Sequence, residues 1–186
     1  MRIIGGKNKG KKINLPIDKN TRPLRDMVKE SIFNLIEHSN RFNINLNNAN
    51  ILDLFSGTGS FGLECLSRNA KKVIFIESYS EAIKVLRKNI LSMDNNNSSE
   101  IIEKNCFDYF TSKNFCYNKF DIVFLDPPYK EKKINYLIDK IKEKKIMKDG
   151  GIIIIHRHKK DDVEITSNFN ILVTRNYGIS KIMIGN

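Results

Sequence analysis

Residues 50–62 read Asn-Ile-Leu-Asp-Leu-Phe-Ser-Gly-Thr-Gly-Ser-Phe-Gly, an apolar stretch carrying one acid and then three glycines spaced G-x-G-x-x-G. Glycines so placed let a buried strand turn tightly into a helix and let a ligand approach the backbone. The alternation of strand and helix then repeats along the chain. Further strands are predicted at 72–76, 100–102, 121–125 and 151–155, and helices at 61–67, 80–91 and 134–141. Repeated strand–helix–strand units with apolar strands imply a parallel sheet covered on both faces. Residues 171–174 and 181–184 flank Tyr177-Gly178 with no room for a helix, which predicts an antiparallel finish. A helix at 26–36 precedes the whole. The expected fold is therefore α/β, and its length of 186 residues suits one domain. Within it, a basic arm at 1–25 and a linking helix at 26–40 lead to a core at 50–186.

The chain carries a net +11, and residues 1–29 hold nine cations and two anions, so most of the excess sits there. Ile3, Ile4, Ile13, Leu15 and Ile17 interrupt the cations, with glycines at the bends, which reads as a β-hairpin arm. A basic stripe of this kind suits phosphates, with Arg2, Lys7, Lys9, Lys11, Lys12, Arg22 and Arg25 as its contacts. The longest aliphatic run, 152–155, falls far short of the ~20 apolar residues of a membrane span. Residues 1–6 lead into lysines rather than an apolar stretch, so a cytoplasmic protein is expected. Cys65, Cys106 and Cys116 form no CxxC pair, which excludes a disulfide framework or zinc site built on cysteines.

The glycine loop by itself fits NAD, FAD or S-adenosylmethionine. Asp53, four residues before Gly57, would oppose a pyrophosphate but suits a ligand bearing an ammonium group. S-adenosylmethionine has that group and no phosphate. Glu77, ending the next strand, is placed to accept from both ribose hydroxyls. A nicotinamide-dependent oxidoreductase would use the same loop but leaves Asp53 unexplained.

Asp126-Pro127-Pro128-Tyr129 follows the fourth strand, at the carboxyl edge where open α/β sheets bind ligands. Two prolines remove successive N–H groups, leaving carbonyls and the Asp126 carboxylate as acceptors. Such acceptors suit the exocyclic amine of a nucleobase, whose lone pair they would free from conjugation and aim at a methyl donor. Tyr129 offers a face for a base taken out of its stack. A non-catalytic RNA-binding module would account for the basic arm but not for this tetrad.

Five segments occur in order: Arg2-Ile3-Ile4-Gly5-Gly6, Thr21-Arg22-Pro23, Lys29-Glu30-Ser31-Ile32-Phe33-Asn34, the loop from Asp53 to Gly59, and the tetrad. Together they resemble the bacterial RsmD-type 16S rRNA (guanine-N2)-methyltransferases, over essentially the whole chain. The resemblance implies a class I, Rossmann-like methyltransferase fold and S-adenosylmethionine as cofactor. It implies a guanine of small-subunit rRNA as target, free or in an assembling subunit. It also implies cofactor contacts at Asp53, Phe55, Ser56, Gly57, Thr58, Gly59, Glu77 and Ser78, with the adenine near Asn105-Cys106, and the guanine at Asp126 to Tyr129. A DNA adenine-N6 methyltransferase shares the tetrad, but the chain has no room for a target-recognition domain. A monomer without metal is expected. Leu24-Arg25 and Met27 depart from the family pattern, as does His156-Arg157-His158 where acids are usual. These histidines are expected to face solvent or RNA.

Overall fold

The computed structural model describes residues 1–18, 21, 24–112, 119–161 and 163–186. Arg22 of the expected phosphate contacts, with Pro23, Lys19 and Cys116, lies outside them. In chain order the strands are β1 (Asn50–Leu54), β2 (Lys72–Glu77), β3 (Ser99–Glu103), β4 (Phe120–Leu125), β5 (Met147–His158), β6 (Ile171–Tyr177) and β7 (Ser180–Gly185). The helices are α1 (Asp26–His38), α2 (Ser60–Ser67), α3 (Ser80–Ser92), α4 (Cys106–Tyr109) and α5 (Ile134–Glu143). The strands make one sheet in the order β3-β2-β1-β4-β5-β7-β6. The first five pair in parallel, and β7 pairs antiparallel with both β5 and β6.

Each face of the sheet is apolar because each face is covered. Ile51, Phe75, Ile122 and Ile154 pack with Phe33, Phe61, Leu63 and Leu86 of α1, α2 and α3. Leu52, Leu54, Val123 and Ile155 pack on the other side with Tyr109, Leu137, Ile138 and Ile141 of α4 and α5. Phe61 links the layers, its ring 5.3 Å from Phe33 and 4.1 Å from Phe124. The third motif glycine serves this packing. A Cβ on Gly62 would sit 2.3 Å from the Phe75 ring, so only glycine lets α2 lie this close to β2.

The β5 strand runs three residues beyond the predicted 151–155. The apolar pattern stops at Ile155, but β7 supplies ladder partners for His156, Arg157 and His158, so the strand continues. The four-residue α4 carries no helical period long enough to read from sequence.

The basic N-terminal segment is a hairpin, closed by an Arg2–Lys12 bridge and by bonds such as Ile3 N–H to the Lys11 carbonyl at 2.9 Å. It is docked rather than free. Ile3 and Ile13 are buried in the core beside α1 and α2. The Ile4 and Gly5 N–H groups donate to the two Glu64 oxygens at 2.8 and 2.7 Å, and Asn8 N–H donates to Ser67 Oγ at 2.9 Å. Asn89 of α3 accepts from Asn14 N–H at 2.9 Å and donates to the Thr58 carbonyl at 3.0 Å, tying the segment to the glycine loop. Lys29, one of the cations of this basic region, is 0% exposed. Its ammonium lies 3.5 Å from Glu64 and donates to the Arg2 carbonyl at 2.6 Å. Burial holds it below the usual lysine range, against the opposing pull of Glu64 and Asp26. Lys29 is thus a core residue, not part of the solvent-facing charge.

Candidate active site

The neighbours of β1 are β2 on one side and β4 on the other, so the connections after β1 and β4 leave the sheet in opposite directions. Open α/β sheets bind ligands in the crevice such a switch creates. Leu54 aligns with Leu125 and with Ile76, which brings the ends of β1, β2 and β4 level. A cleft of about 720 Å³ opens there, within the usual size range of small-molecule sites.

Most of the cofactor and target residues expected from sequence line this cleft. Asp53, Phe55, Ser56, Gly57, Thr58, Glu77, Ser78 and Asn105 meet Asp126, Pro127, Pro128 and Tyr129 across it. Two do not. Gly59 lies behind the loop as the N-cap of α2, at φ +84°, where a Cβ would meet Leu86 at 2.5 Å. Cys106 is buried, and its sulfur accepts from Phe55 N–H at 3.2 Å, which props the loop from below. Burial pushes that thiol up, so it stays protonated.

Asp53 is 1% exposed, and Oδ2 accepts from Gly62 N–H at 3.0 Å. Burial lifts its carboxyl well above the ordinary carboxylate range. The Gly62 N–H opposes the lift, and the charges of Asp126 and Glu77 add to it. A cation in the cleft would relieve this carboxyl. Glu77 already holds backbone: Oε2 accepts from Gly57 N–H at 2.7 Å, and Oε1 from Ser78 and Tyr79 N–H at 2.8 Å each. A carboxylate offers about four acceptor positions, so Glu77 both pins the glycine loop and keeps room for a hydroxyl.

The cleft also has walls the motifs did not announce. Phe107 stands edge-on to Phe55 at 6.1 Å, and Tyr79, Phe124, Lys130 and Glu131 complete the rim. Phe107 sits one residue beyond Asn105-Cys106, and its aromatic type beside a candidate adenine position was the available signal. Thr21 and Leu24, from the segment with Thr-Arg-Pro, line the cleft as well.

The histidines depart from expectation. His156 is buried, with Nδ1 2.8 Å from Asp126 Oδ1 and Nε2 2.9 Å from Ser180 Oγ. Arg157 is buried too, bonded to Asp161 and, at 3.4 Å, to the Pro128 carbonyl. His158 is half-buried, its ring edge-on to Tyr129 at 5.2 Å. The run therefore backs the tetrad instead of facing solvent. Among the described residues no cluster of His, Cys, Asp or Glu has the makings of a metal site, and no helix is long and apolar enough to cross a membrane.

Residues 1–186 match the family described as Conserved hypothetical protein 95. The Ribosomal RNA small subunit methyltransferase D of Haemophilus influenzae is 30% identical over 182 residues, covering 96% of this chain and 90% of that protein. Among solved structures, Escherichia coli yhhF superposes with a TM-score of 0.81 at 24% identity, covering 100% of this chain and 96% of that one. An RNA methyltransferase from Salinibacter ruber in complex with S-adenosyl-L-homocysteine has a TM-score of 0.62 at 16% identity, over 88% and 92% of the two chains. The chain belongs to the Conserved hypothetical protein 95 family, the RsmD-type methyltransferases.

Proposed function

We propose that this protein is an S-adenosylmethionine-dependent methyltransferase that methylates the exocyclic N2 of a guanine in 16S rRNA, free or in an assembling small subunit. One observation carries this reading: an acceptor tetrad, a glycine loop and the buried Asp53 carboxyl on the strand before that loop open into one cleft. The cofactor fits that donor set, because Asp53 calls for a cation and the loop offers no cationic side chain to a phosphate. When bound, S-adenosylmethionine supplies an electrophilic methyl whose transfer leaves the electron pair on sulfur.

The residues then divide the work. Asp53 meets the ammonium, Glu77 accepts from the ribose, and Phe107 and Asn105 border the adenine. Asp126 and the Pro127 carbonyl accept from the target amine, holding its nitrogen lone pair out of the ring's conjugation. Tyr129 stacks the base. The Asp126 carboxylate also takes the proton the amine sheds. Positioning is the main catalytic task, so no covalent nucleophile is needed. Outside the cleft, Arg2, Lys7, Lys9, Lys11, Lys12 and Arg25 present charge to the phosphates; Arg22, outside the described residues, is a further phosphate contact in this reading. We read residues 1–186 as a single methyltransferase unit, monomeric and cytoplasmic.

The test is methyl transfer from labelled cofactor to 16S rRNA, followed by nucleoside analysis. N2-methylguanosine is expected; N6-methyladenosine as the only product would overturn the guanine assignment. Asp126→Ala should lower kcat about 10²-fold or more while cofactor affinity holds. A variant with undiminished turnover would remove Asp126 from the chemistry.

A further inference from the structure

From the hydrogen bonds behind the tetrad, we infer that His156 is a positioning residue for Asp126, held in one tautomer by Ser180. The inference rests on the proposed role of the tetrad in holding the substrate amine. It starts from register: Leu125 aligns with Ile155 across β4 and β5, so the next residues, Asp126 and His156, lie side by side. Their side chains meet at 2.8 Å.

Hydrogen-bond chemistry then fixes the direction. A carboxylate only accepts, so the ring nitrogen facing it, Nδ1, carries the proton and donates. In a neutral imidazole the other nitrogen, Nε2, then accepts, and the partner able to give it a proton is the Ser180 hydroxyl at 2.9 Å. The chain Ser180 Oγ–H to Nε2, and Nδ1–H to Asp126 Oδ1, runs one way. It restrains the carboxylate's rotation and occupies Oδ1, leaving Oδ2 as the oxygen free of that bond for the substrate amine.

The setting supports a fixed arrangement. His156 and Ser180 are 6% and 4% exposed. Next along the strand, Arg157 bonds the Pro128 carbonyl and His158 abuts the Tyr129 ring, so three consecutive residues of β5 brace the tetrad. Buried ring and hydroxyl are held by the antiparallel ladder, in which His156 aligns with Ile182 and His158 with Ser180. A displaced acceptor is costly in a reaction that relies on geometry, with losses on the order of 10²-fold for shifts near 1 Å.

Two substitutions separate positioning from mere cross-strand structure. Asparagine places an amide nitrogen where Nδ1 stood, keeping the donor to Asp126. Glutamine places one near Nε2, keeping the Ser180 end and losing the donor. His156→Asn should keep most of the turnover, while His156→Gln should lose about 10²-fold in kcat at unchanged cofactor affinity. Wild-type kcat in His156→Gln, or an equal collapse of both folded variants, would overturn the inference. Nitrogen-15 spectra of the wild-type imidazole give a readout that needs no variant to fold. The Nδ1–H tautomer is expected, and the Nε2–H tautomer would refute the relay. Asp126→Ala, run alongside, removes both acceptor oxygens and keeps the two claims apart. If that variant turns over normally, the tetrad reading fails. If it is inactive while His156→Gln is normal, only the role of His156 falls.

Discussion

Replacing Glu64 by glutamine should cost more stability than any single exposed charge in this protein. Glu64 is 0% exposed and receives four donors: the Ile4 and Gly5 N–H groups, Arg68 Nε at 3.0 Å, and the Lys29 ammonium at 3.5 Å. Glutamine keeps one acceptor oxygen and turns an NH₂ group toward a backbone N–H, so at least one buried donor loses its partner. It also leaves the Lys29 ammonium with the Arg2 carbonyl and, at 4.0 Å, Asp26. Breaking a buried pair from one side typically costs about 3–5 kcal/mol, against a total stability of about 5–15 kcal/mol. With a urea m-value of about 2–3 kcal/mol/M, the midpoint should drop by about 1–2.5 M. Lys29→Met should cost less, because Glu64 would keep three of its donors. The double variant should lose less than the sum, with a coupling of about 0.5–3 kcal/mol. Glu81→Gln is the control, since Glu81 and Lys84 pair at 2.6 Å on the exposed face of α3. Its midpoint should not move. Urea unfolding followed by circular dichroism measures the wild type and all four variants. A Glu64→Gln midpoint equal to that of Glu81→Gln would show that burial of the pair adds nothing, and would refute the reasoning.

Asp53 couples the cleft to stability. Because its folded-state pKa is raised, the folded chain keeps a proton that the unfolded chain releases. Its contribution is therefore present at low pH and is lost as pH rises from about 4 through the raised folded value. Asp53→Asn should remove that decline and bind S-adenosylmethionine more weakly. Thermal midpoints from pH 4 to 8 for both proteins decide it, and a wild-type-minus-variant difference that rises with pH would contradict the assignment. On the surface, Lys7, Lys9 and Lys12 changed together to glutamine should reduce the slope of log K against log salt for RNA by about 2–3. Filter binding over a salt series tests this, and an unaltered slope would place the RNA elsewhere.

The sheet, its helices and the cleft were largely legible because they rest on local signals. Apolar runs mark β1, β2, β4 and β5, glycines mark the turn after β1, and two prolines stop β4. Residues whose roles depend on distant partners were not legible. Lys29 looks like one more basic residue until α2 brings Glu64 against it, and His156 looks like a polar strand end until register puts it beside Asp126. Asn89 carries no motif at all, yet it joins the hairpin to the glycine loop. Cys106 lay in the right segment, but the first turn of α4 aims its sulfur beneath Phe55 and leaves the cleft to Phe107. In each case the deciding information is which helix or strand lies beside which, and no window of the sequence contains it.

The docked hairpin also has a history in time. Its backbone meets Glu64 and Ser67 at sequence separations of 59 and 60, and Asn89 at 75. Translation at about 5–20 residues per second takes about 3–12 s to supply those next sixty residues. A two-stranded hairpin is at best marginal alone in water, so Ile3 and Ile13 stay unburied through that interval. Docking is thus a long-range closure that waits for α2 and α3, the slow kind of step in folding. Meanwhile the same lysines that suit the segment to phosphate keep a nascent, half-apolar peptide from sticking to its neighbours.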